Sequence, residues 1–377
     1  MKVAIFGGSF NPVHNEHINI VKAAVNCLSL DKVIVMPSNI TPSKTGRTFA
    51  SAADRLNMCR LAFGDMPKVV VSDFEIAQSG ISYSYLTCRK FKEKYPDDER
   101  YLIIGGDMLE SFDKWKNPEE ILNCVTLAVC ARVDVKSFKD AQNSFYSRFG
   151  KRIKAIDYVG AQVSSTRIRT IAALGERAEG LVCPEVQKYI ADNSLYLIDG
   201  AAEVKKLLSA HRWRHTVGVA VMAAENCTRY GVSEKDAILA ALFHDCGKEL
   251  QKDSPLISGC RIPCDVPPPV VHQYTGAYLA EHYFGIKDET ILNAIKYHCS
   301  GRENMTPLEK LIYLSDMLEE GRDYDGVREL REIFKKDKDE ALYCALQSQL
   351  YHLNSSDFPV YDLTQKAYDY LEEHKND

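Results

Sequence analysis

The sequence predicts two folded parts: an α/β half built on a doubly wound parallel sheet, followed by an all-α helical bundle. The chain has 377 residues, which is more than one ordinary hydrophobic core holds. Up to residue 196, short β-branched runs alternate with helical segments, and after Gly200 the strand-like runs stop. We therefore place the boundary near residues 197–200 and expect two domains, at residues 1–197 and 198–377.

The expected strands of the first half are short, continuous apolar runs. Continuous runs separated by helices indicate parallel strands that are buried on both faces of a sheet. These runs are residues 3–6, 33–36, 69–71, 101–104, 126–129 and 154–156.

Helical periodicity dominates the second half. The helices that we expect cover residues 202–230, 234–244, 270–283, 289–298, 307–318 and 325–334. Gly231, Gly247, Gly285 and Gly301 fall where such helices should end, because glycine is favoured just past a helix C-terminus. Residues 250–269 contain five prolines and are expected to form a long loop, which in a compact domain is more often functional than idle.

The composition indicates which kinds of molecule the protein binds and in which compartment it occurs. The formal net charge is −5, whereas a non-specific nucleic-acid binder would be basic, so we expect small-molecule polyphosphates as substrates and no nucleic acid. The 12 cysteines include no Cys-x-x-Cys pair, which favours a reducing compartment. No apolar stretch is long enough for a signal sequence or a membrane span. We therefore expect a cytoplasmic protein, and the sequence is compatible with a homo-oligomer.

A compact polar stretch, Gly7-Gly8-Ser9-Phe10-Asn11-Pro12-Val13-His14-Asn15-Glu16-His17, follows the first expected strand. A strand that stops at two glycines, turns through Asn-Pro and re-enters as a helix presents backbone N–H groups and a helix N-terminus to one point, which suits phosphate. His14 and His17 are three residues apart and would project from one helix face towards the same anion. A hairpin with two surface histidines is the simpler alternative, but a hairpin does not require two imidazoles at this spacing.

A second candidate phosphate element is Val163-Ser164-Ser165-Thr166-Arg167-Ile168-Arg169, which leads into an amphipathic helix. Ser and Thr are preferred N-caps, a helix N-terminus carries partial positive charge, and Arg169 would add a bidentate fork one turn into the helix. An ordinary capped helix explains the hydroxyl groups taken alone. Together with the first stretch, a polyphosphate site explains them better.

These two stretches resemble the signatures of the nucleotidylyltransferase superfamily, Gly-Gly-x-Phe-Asp-Pro-x-His-x-Gly-His and Ile-Ser-Ser-Thr-x-Ile-Arg. The resemblance implies a Rossmann-like sheet whose nucleotide is bound by Gly7, Gly8, Ser9, Phe10, Ser164, Ser165 and Thr166. Asn11 stands where Asp is usual, and its side chain can still cap the turn. Glu16 stands where Gly is usual and would place a carboxylate beside the polyphosphate unless it points to solvent.

Over residues 1–196 the chain is also similar to bacterial nicotinate mononucleotide adenylyltransferases. This resemblance implies that Trp115 and the segment Ser82-Tyr83-Ser84 hold the pyridine ring and its carboxylate. Gly106 and Asp107 would meet the ribose of a nucleotide, and Lys44 and Arg132 belong to the same succession of binding residues. An adenylyltransferase for another substrate, such as phosphopantetheine, is the alternative, and Trp115 with residues 82–84 argues against it.

The implied reaction transfers AMP from ATP to nicotinate mononucleotide and releases pyrophosphate. The attacking phosphate is already an anion, so no general base is required and catalysis consists of positioning and charge stabilisation. The residues expected to supply positive charge are His14, His17, Lys44 and Arg169. Mg²⁺ would bridge the polyphosphate oxygens.

Metal-ligand residue types recur through the helical half: His215, His244, Asp245, His272, His298 and Asp316. Helix bundles build internal metal sites from facing helices in this way. His244 and Asp245 are adjacent and can share a metal only near a helix end, which Gly247 is expected to provide. Imidazole and carboxylate ligands suit iron, manganese or zinc rather than calcium. Any one of these histidines taken alone is better explained as a surface or core residue.

The order His, His-Asp, His, His, Asp resembles the HD phosphohydrolase superfamily. Residues 200–345, with the segments around His272, His298 and Asp316, are similar to bacterial HD-domain proteins that split diadenosine tetraphosphate symmetrically into two ADP. This resemblance implies two transition-metal ions bridged by Asp245, with iron as the expected metal. Lys248 and Arg322 are candidates for neutralising phosphate charge. A regulatory nucleotide-binding module without hydrolysis is the alternative, and six intact ligand positions count against it.

Overall fold

The computed structural model describes residues 1–39, 50–78, 80–130, 135–161, 163–356 and 358–375, without the side chains of residues 135–137. The candidate residues Lys44 and Arg132 lie outside the described residues. The chain divides into two compact units. The first comprises most of residues 1–169 together with 177–195, and the second comprises 170–176 and the residues from 196 onward. Residues 170–176 thus group with the helical unit, which the sequence pattern does not indicate.

The first unit contains a parallel sheet of six strands, in the order β3-β2-β1-β4-β5-β6. The strands are β1 (Lys2–Gly8), β2 (Lys32–Pro37), β3 (Val69–Val71), β4 (Glu99–Gly105), β5 (Thr126–Cys130) and β6 (Lys154–Ile156). Every predicted apolar run lies within a strand, so the α/β prediction is confirmed. The central strands are buried, with Val3 and Ala4 of β1 at 0% exposure, which is why their sequence is continuously apolar.

The strand order reverses direction between β1 and β4. In open α/β sheets, ligands bind outside the carboxyl ends of the strands at such a switch point. β1 ends at Gly8 and β4 ends at Gly105, so the first polar stretch and Gly106 both leave the sheet at this point.

Helices connect the strands and follow them. They are α1 (Asn15–Leu28), α2 (Ala52–Phe63), α3 (Ser84–Lys94), α4 (Gly106–Glu110), α5 (Pro118–Cys124), α6 (Val135–Phe149), α7 (Ser165–Ala173) and α8 (Pro184–Asp192), with a 3-10 turn at Phe112–Lys114. The last residues of α7 belong to the second unit.

The second unit is all-α, as the sequence predicts. Its helices are α9 (Ala201–Leu207), α10 (Ala210–Asn226), α11 (Glu234–Phe243), α12 (His272–His282), α13 (Glu289–Lys296), α14 (Pro307–Leu318), α15 (Val327–Lys336), α16 (Lys338–Ser355) and α17 (Asp362–Glu373). The helix expected over residues 202–230 is broken, because Ser209 caps a new helix by accepting the backbone N–H of Arg212. A 3-10 turn, Cys227–Tyr230, then follows α10.

The glycines expected at helix ends behave in two ways. Gly231, Gly285 and Gly301 have φ between 65° and 73°, the left-handed conformation that favours glycine after a helix. Gly247 is different, since α11 already ends at Phe243. A Cβ atom on Gly247 would lie 2.8 Å from the backbone nitrogen of Gly276, so Gly247 permits close approach of α12 rather than ending a helix.

The proline-rich segment 250–269 is mostly irregular, with 3-10 turns at Pro255–Ile257 and Pro268–Val270. Leu256 and Ile257 pack against the helical core. All 12 cysteines are free thiols. Within the described residues, none of the helices is long and apolar enough to cross a membrane.

Candidate functional site

The first candidate site lies where β1 ends and the chain turns into α1. Phe10 is buried in this turn and has a left-handed backbone conformation, with φ of 45°. Its ring packs against the rings of Phe6 and His17, at centroid distances of 5.4 and 5.0 Å. A Cβ atom on Gly8 would lie 3.2 Å from the Phe10 ring, so a side chain at this position would crowd the turn.

His14 and His17 lie together, as the sequence predicts. His14 is the N-cap of α1, and the two imidazole rings stack with their centroids 3.7 Å apart. The backbone N–H of His14 donates to Nδ1 of His17 at 3.1 Å. Because Nδ1 of neutral His17 accepts this bond, the ring proton resides on Nε2. The start of α1 therefore combines an imidazole N–H donor of fixed tautomer with the first backbone N–H groups of the helix.

Arg55 holds the loops around this turn. It is only 3% exposed, and its guanidinium donates to the carbonyl oxygens of Ser9 and Ser38, both at 2.7 Å, and of Asn39 at 2.9 Å. Ser9 is thereby fixed relative to the end of β2. The sequence gives no signal for this positioning role, because an arginine in an amphipathic helix is usually solvated.

The second predicted phosphate element begins α7. The Oγ atom of Ser164 accepts the backbone N–H of Arg167 at 3.0 Å, so Ser164 caps the helix as expected. Ser165 does not act as a cap, since its hydroxyl donates to the carbonyl oxygen of Pro12 at 3.1 Å. The hydroxyl of Ser165 thus ties the second element to the first.

Arg169 makes a second link between the two elements. It is 4% exposed, and its Nη1 donates to the carbonyl oxygen of Asn11 at 2.6 Å. Its Nη2 donates to the Thr166 hydroxyl at 2.9 Å. The guanidinium therefore fixes the Asn11–Pro12 turn against α7, in addition to the charge that the sequence analysis assigns to it.

The two departures from the family signature have structural explanations. Asn11 is buried, and its Oδ1 accepts the backbone N–H of Ala50 at 3.0 Å, so the side chain holds a segment that is distant in the sequence. Glu16 is 5% exposed, and its Oε2 accepts the hydroxyl of Tyr158 at 2.9 Å. Glu16 therefore does not point to solvent, because its carboxylate is buried against the connection between β6 and α7.

The residues implied to hold the pyridine ring lie on neighbouring segments. Tyr83 is the N-cap of α3 and Ser84 is its first residue. The Nζ atom of Lys116 lies 4.2 Å from the centre of the Tyr83 ring. Trp115, the next residue towards the N-terminus, packs on Phe112 with ring centroids 5.3 Å apart. Residues 82–84 and 115–116 therefore form one surface.

Ser82, Gly106 and Asp107 lie at the carboxyl edge of the sheet. The Oγ atom of Ser82 accepts the backbone N–H of Asn39 at 3.0 Å, which joins the segment after β3 to the end of β2. Gly106 begins α4 directly after β4, and Asp107 is exposed in the first turn of that helix. The position of Asp107 leaves its carboxylate accessible to a ligand above the switch point.

The second unit brings all six predicted metal-ligand residues into one buried cluster. Around one side of Asp245, the Nε2 atom of His215 lies 2.9 Å from Oδ1 of Asp316 and 3.4 Å from Nε2 of His244. The Oδ2 atom of Asp245 lies 3.5 Å from Nε2 of His244.

Two more histidines, His272 and His298, lie near the other carboxylate oxygen of Asp245. The Oδ1 atom of Asp245 lies 3.3 Å from Nε2 of His272 and 3.6 Å from Nε2 of His298. The Nε2 atoms of His272 and His298 are 3.1 Å apart. Asp245 is therefore common to two groups of three that could each hold a metal ion.

Helix ends orient two of these histidines. Nδ1 of His244 lies 2.7 Å from the carbonyl oxygen of Ala241, and Nδ1 of His298 lies 2.7 Å from that of Ile295. Both carbonyls belong to the last turns of α11 and α13, where helix carbonyls lack intrahelical partners. Each Nδ1 proton is therefore donated to the backbone, and each Nε2 lone pair faces the cluster.

The charge distribution suits cations. Burial lowers the pKa of His244 to about 4, so its ring is neutral near pH 7 and can act as a ligand. Burial would raise the pKa of Asp245, but neighbouring His244, His298 and Lys248 hold it well below its usual range. The pKa of Asp316 is likewise held low against the effect of burial, by His215 and Arg322. Two buried carboxylates thus stay ionised among imidazole rings.

The residues present fit a pair of divalent metal ions. Asp245 Oδ1 is buried, makes no hydrogen bond within the described residues and lies 3.4 Å from the Lys248 ammonium, so cations are the groups that compensate its charge. The imidazole and carboxylate donors are those of zinc, iron or manganese sites. His215, His244, His272, His298 and Asp316 would hold the ions, with Asp245 between them.

Within the part of the chain that the structure describes, three cationic side chains border the cluster. Nζ of Lys248 lies 3.4 Å from Oδ1 of Asp245, and Arg322 forms an ion pair with Asp316. Nη1 of Arg212 lies 3.0 Å from Oδ2 of Asp245. Lys248 and Arg322 are predicted from the sequence, whereas Arg212 is not, although its position three residues before His215 on the same helix could have indicated it.

The chain is similar to known proteins along most of its length. The chain is 30% identical over 85% of its length, and 88% of the relative's, to a protein of Mycoplasma genitalium named probable nicotinate-nucleotide adenylyltransferase/Ap4A hydrolase. The chain belongs to this fused family. Its residues 5–171 match the cytidylyltransferase-like family model and its residues 212–321 match the HD domain model, so each half of the fused family is recognised separately.

Other relatives cover one half of this fused protein. A probable nicotinate-nucleotide adenylyltransferase of Clostridium botulinum strain Kyoto is 34% identical over 51% of the chain and 98% of its own length. A crystal structure of a predicted HD superfamily hydrolase involved in NAD metabolism, from Clostridium acetobutylicum, is 30% identical, covers 46% of the chain and 95% of its own, and has a TM-score of 0.44.

Proposed function

We propose that this fused protein is a bifunctional enzyme, with an adenylyltransferase in the first unit and a metal-dependent phosphohydrolase in the second. Two independent sites support the proposal. One is the paired imidazoles His14 and His17 at a helix N-terminus. The other is the buried carboxylate of Asp245 shared by two groups of ligands. The two sites use different residues on different elements.

The first activity is the transfer of AMP from ATP to nicotinate mononucleotide. A phosphate oxygen of the mononucleotide forms a bond to the α-phosphorus of ATP, and the bond to the bridging oxygen breaks as pyrophosphate leaves. The Nε2–H of His17 and the N-terminus of α1 stabilise the charge on the polyphosphate. Ser164 and Thr166 at the start of α7 bind the same nucleotide, and Mg²⁺ accompanies the ATP.

Substrate choice depends on the surface formed by residues 82–84 and 115–116. Trp115 gives a flat face for a pyridine ring, and the first backbone N–H groups of α3 at Ser84 suit a carboxylate. These donors match an anion better than a neutral amide, and mismatched buried polar groups lower affinity strongly. The relatives named nicotinate-nucleotide adenylyltransferases support the same substrate.

The second activity is symmetrical hydrolysis of diadenosine tetraphosphate to two ADP. When bound, two divalent metal ions, with iron expected, would lower the pKa of water into the neutral range and neutralise phosphate charge. Asp245 would hold both ions, and Lys248, whose side chain is 30% exposed, is placed to contact a phosphate. Arg322 forms an ion pair with the Asp316 carboxylate and donates from Nε to the Asp316 carbonyl oxygen. Arg322 therefore also orients this ligand. The Mycoplasma relative's name supports this substrate.

Assays of the full chain test both activities. With ATP and Mg²⁺, nicotinate mononucleotide should give the dinucleotide and pyrophosphate with a specificity constant at least about 10²-fold above that of nicotinamide mononucleotide. With Fe²⁺, diadenosine tetraphosphate should give ADP as the sole product. Equal use of the two mononucleotides would contradict the proposed pyridine site. Tight binding of diadenosine tetraphosphate without ADP formation would make the second unit a regulatory module.

A further inference from the structure

His215 is oriented differently from His244 and His298. Its Nε2 faces the cluster, whereas its Nδ1 lies 3.0 Å from Oε1 of Glu319. His215 sits in the middle of α10, where the carbonyl groups one turn back are used by the helix itself. A histidine at this position cannot donate to the backbone as His244 does, so an orienting acceptor must come from another side chain.

Glu319 is placed to be that acceptor. It is the C-cap of α14, three residues after the ligand Asp316, so one helix end supplies both a ligand and the partner of another ligand. Glu319 is 4% exposed, and its Oε2 accepts the backbone N–H of Gly321 at 2.6 Å. Each carboxylate oxygen therefore has one donor, and a buried carboxylate requires such compensation.

Gly218 provides the space for this carboxylate. It follows His215 by three residues on α10, and a Cβ atom there would overlap Oε2 of Glu319 and lie 2.9 Å from its Cδ. Glycine is unfavourable inside a helix, because it adds backbone entropy to the unfolded chain. Close approach of Glu319 explains why glycine occurs at this helix-interior position.

We propose that Glu319 is a positioning residue for the metal ligand His215, and that Gly218 is required for its approach. Glu319 accepts the Nδ1 proton, so the Nε2 lone pair of His215 points into the cluster. Carboxylate partners of this kind fix the tautomer and increase the basicity of a histidine ligand. The inference rests on the proposed metal site of the second unit.

Glu319→Gln is the decisive variant, because an amide offers one oxygen where the structure needs two acceptors. If the amide oxygen accepts the Gly321 N–H, the amide NH₂ group faces Nδ1 of His215. Because an NH₂ group is a donor, Nδ1 must then accept, and the ring proton moves to Nε2. We expect the full chain to bind Co²⁺ about 10-fold to 10²-fold more weakly, measured by chelator competition. In the metal-free protein, where Nε2 of His215 also faces the Asp316 carboxylate, ¹⁵N NMR of the histidines should show that His215 loses its Nδ1 proton in the variant.

Gly218→Ala should weaken Co²⁺ binding in the same direction by displacing Glu319. Glu320→Gln, at the exposed neighbouring position, is the matched control and should leave affinity and tautomer unchanged. Wild-type affinity and an unchanged His215 tautomer in Glu319→Gln would overturn the positioning role. A parent protein that binds no Co²⁺ would instead refute the proposed metal site, so the two failures are distinguishable.

Discussion

The backbone N–H of His14 donates to Nδ1 of His17 across 3.1 Å, so one histidine begins α1 and the other closes its first turn. The same bond assigns the two nitrogens of His17 different tasks. Nδ1 stabilises the helix start, and Nε2 is left to donate to a ligand.

Two variants separate these tasks. His17→Asn keeps an acceptor near the position of Nδ1 but has no group at the position of Nε2, whereas His17→Ala loses both. We expect each variant to lose about 10²-fold or more in adenylyltransferase turnover. Only His17→Ala should also lose a cap stabilisation of about 1 kcal/mol, seen as a lower melting temperature. Wild-type turnover in both variants would refute the role of Nε2.

Arg169→Lys tests the link between the two phosphate elements. A lysine ammonium cannot bond the Asn11 carbonyl and the Thr166 hydroxyl in the geometry of the guanidinium fork. We expect turnover to fall by about 10-fold to 10²-fold, because the turn after β1 loses its alignment with α7. The exposed Arg177 offers the matched control, and Arg177→Lys should retain full turnover. A purely electrostatic role for Arg169 predicts no loss, since lysine keeps the charge.

The buried Glu16 and the half-buried Tyr158 form a pair that should affect stability more than nucleotide binding. Tyr158→Phe removes the hydroxyl donor from a buried carboxylate, and such charged hydrogen bonds contribute about 1.5–3 kcal/mol. We expect calorimetry of the full chain to show a lower transition temperature, with the KM for ATP within about twofold of the parent. A marked fall in the KM for ATP in Glu16→Gln would instead mean that the Glu16 carboxylate repels the polyphosphate.

Most of the fold was predictable because its determinants are local. Each strand is a short apolar run, and each predicted ligand is a residue type that the bundle interior tolerates only when it is compensated. The break at Leu208 was not predicted, because apolar periodicity continues through it and only the Ser209 cap marks the new helix. The helices α16 and α17 lie in a region where the sequence predicts helical structure but does not mark where each helix begins and ends.

The contacts that the sequence did not predict join residues that are far apart in the chain. Arg55 donates a hydrogen bond to Ser9, which is 46 residues away in the sequence, and Glu319 contacts His215, which is 104 residues away. Neither pairing leaves a local pattern, since a single acid after a helix or a single arginine within one has no distinctive spacing. The burial of Glu16 could not be predicted for the same reason, because its partner Tyr158 is 142 residues away.

Residues 170–176 belong to the helical unit, and this affects which experiment can test the two activities separately. Ala173 and Leu174 belong to the hydrophobic core of the helical unit, and the carbonyl of Ala173 accepts the backbone N–H of Ile198. A truncation near Gly200 would strip these apolar residues of their neighbours. Point variants of the full chain are therefore the better test of separability.

Asp245→Ala in the full chain tests the central claim, that two independent active sites share one polypeptide. Removing the carboxylate common to both ligand groups should abolish hydrolysis of diadenosine tetraphosphate, and adenylyl transfer should stay within about twofold of the parent. His282→Ala, at an exposed histidine outside the cluster, should retain both activities. If both activities of Asp245→Ala fell together while His282→Ala kept them, the helical unit would be a scaffold or effector for the first, and the two-enzyme account would be wrong.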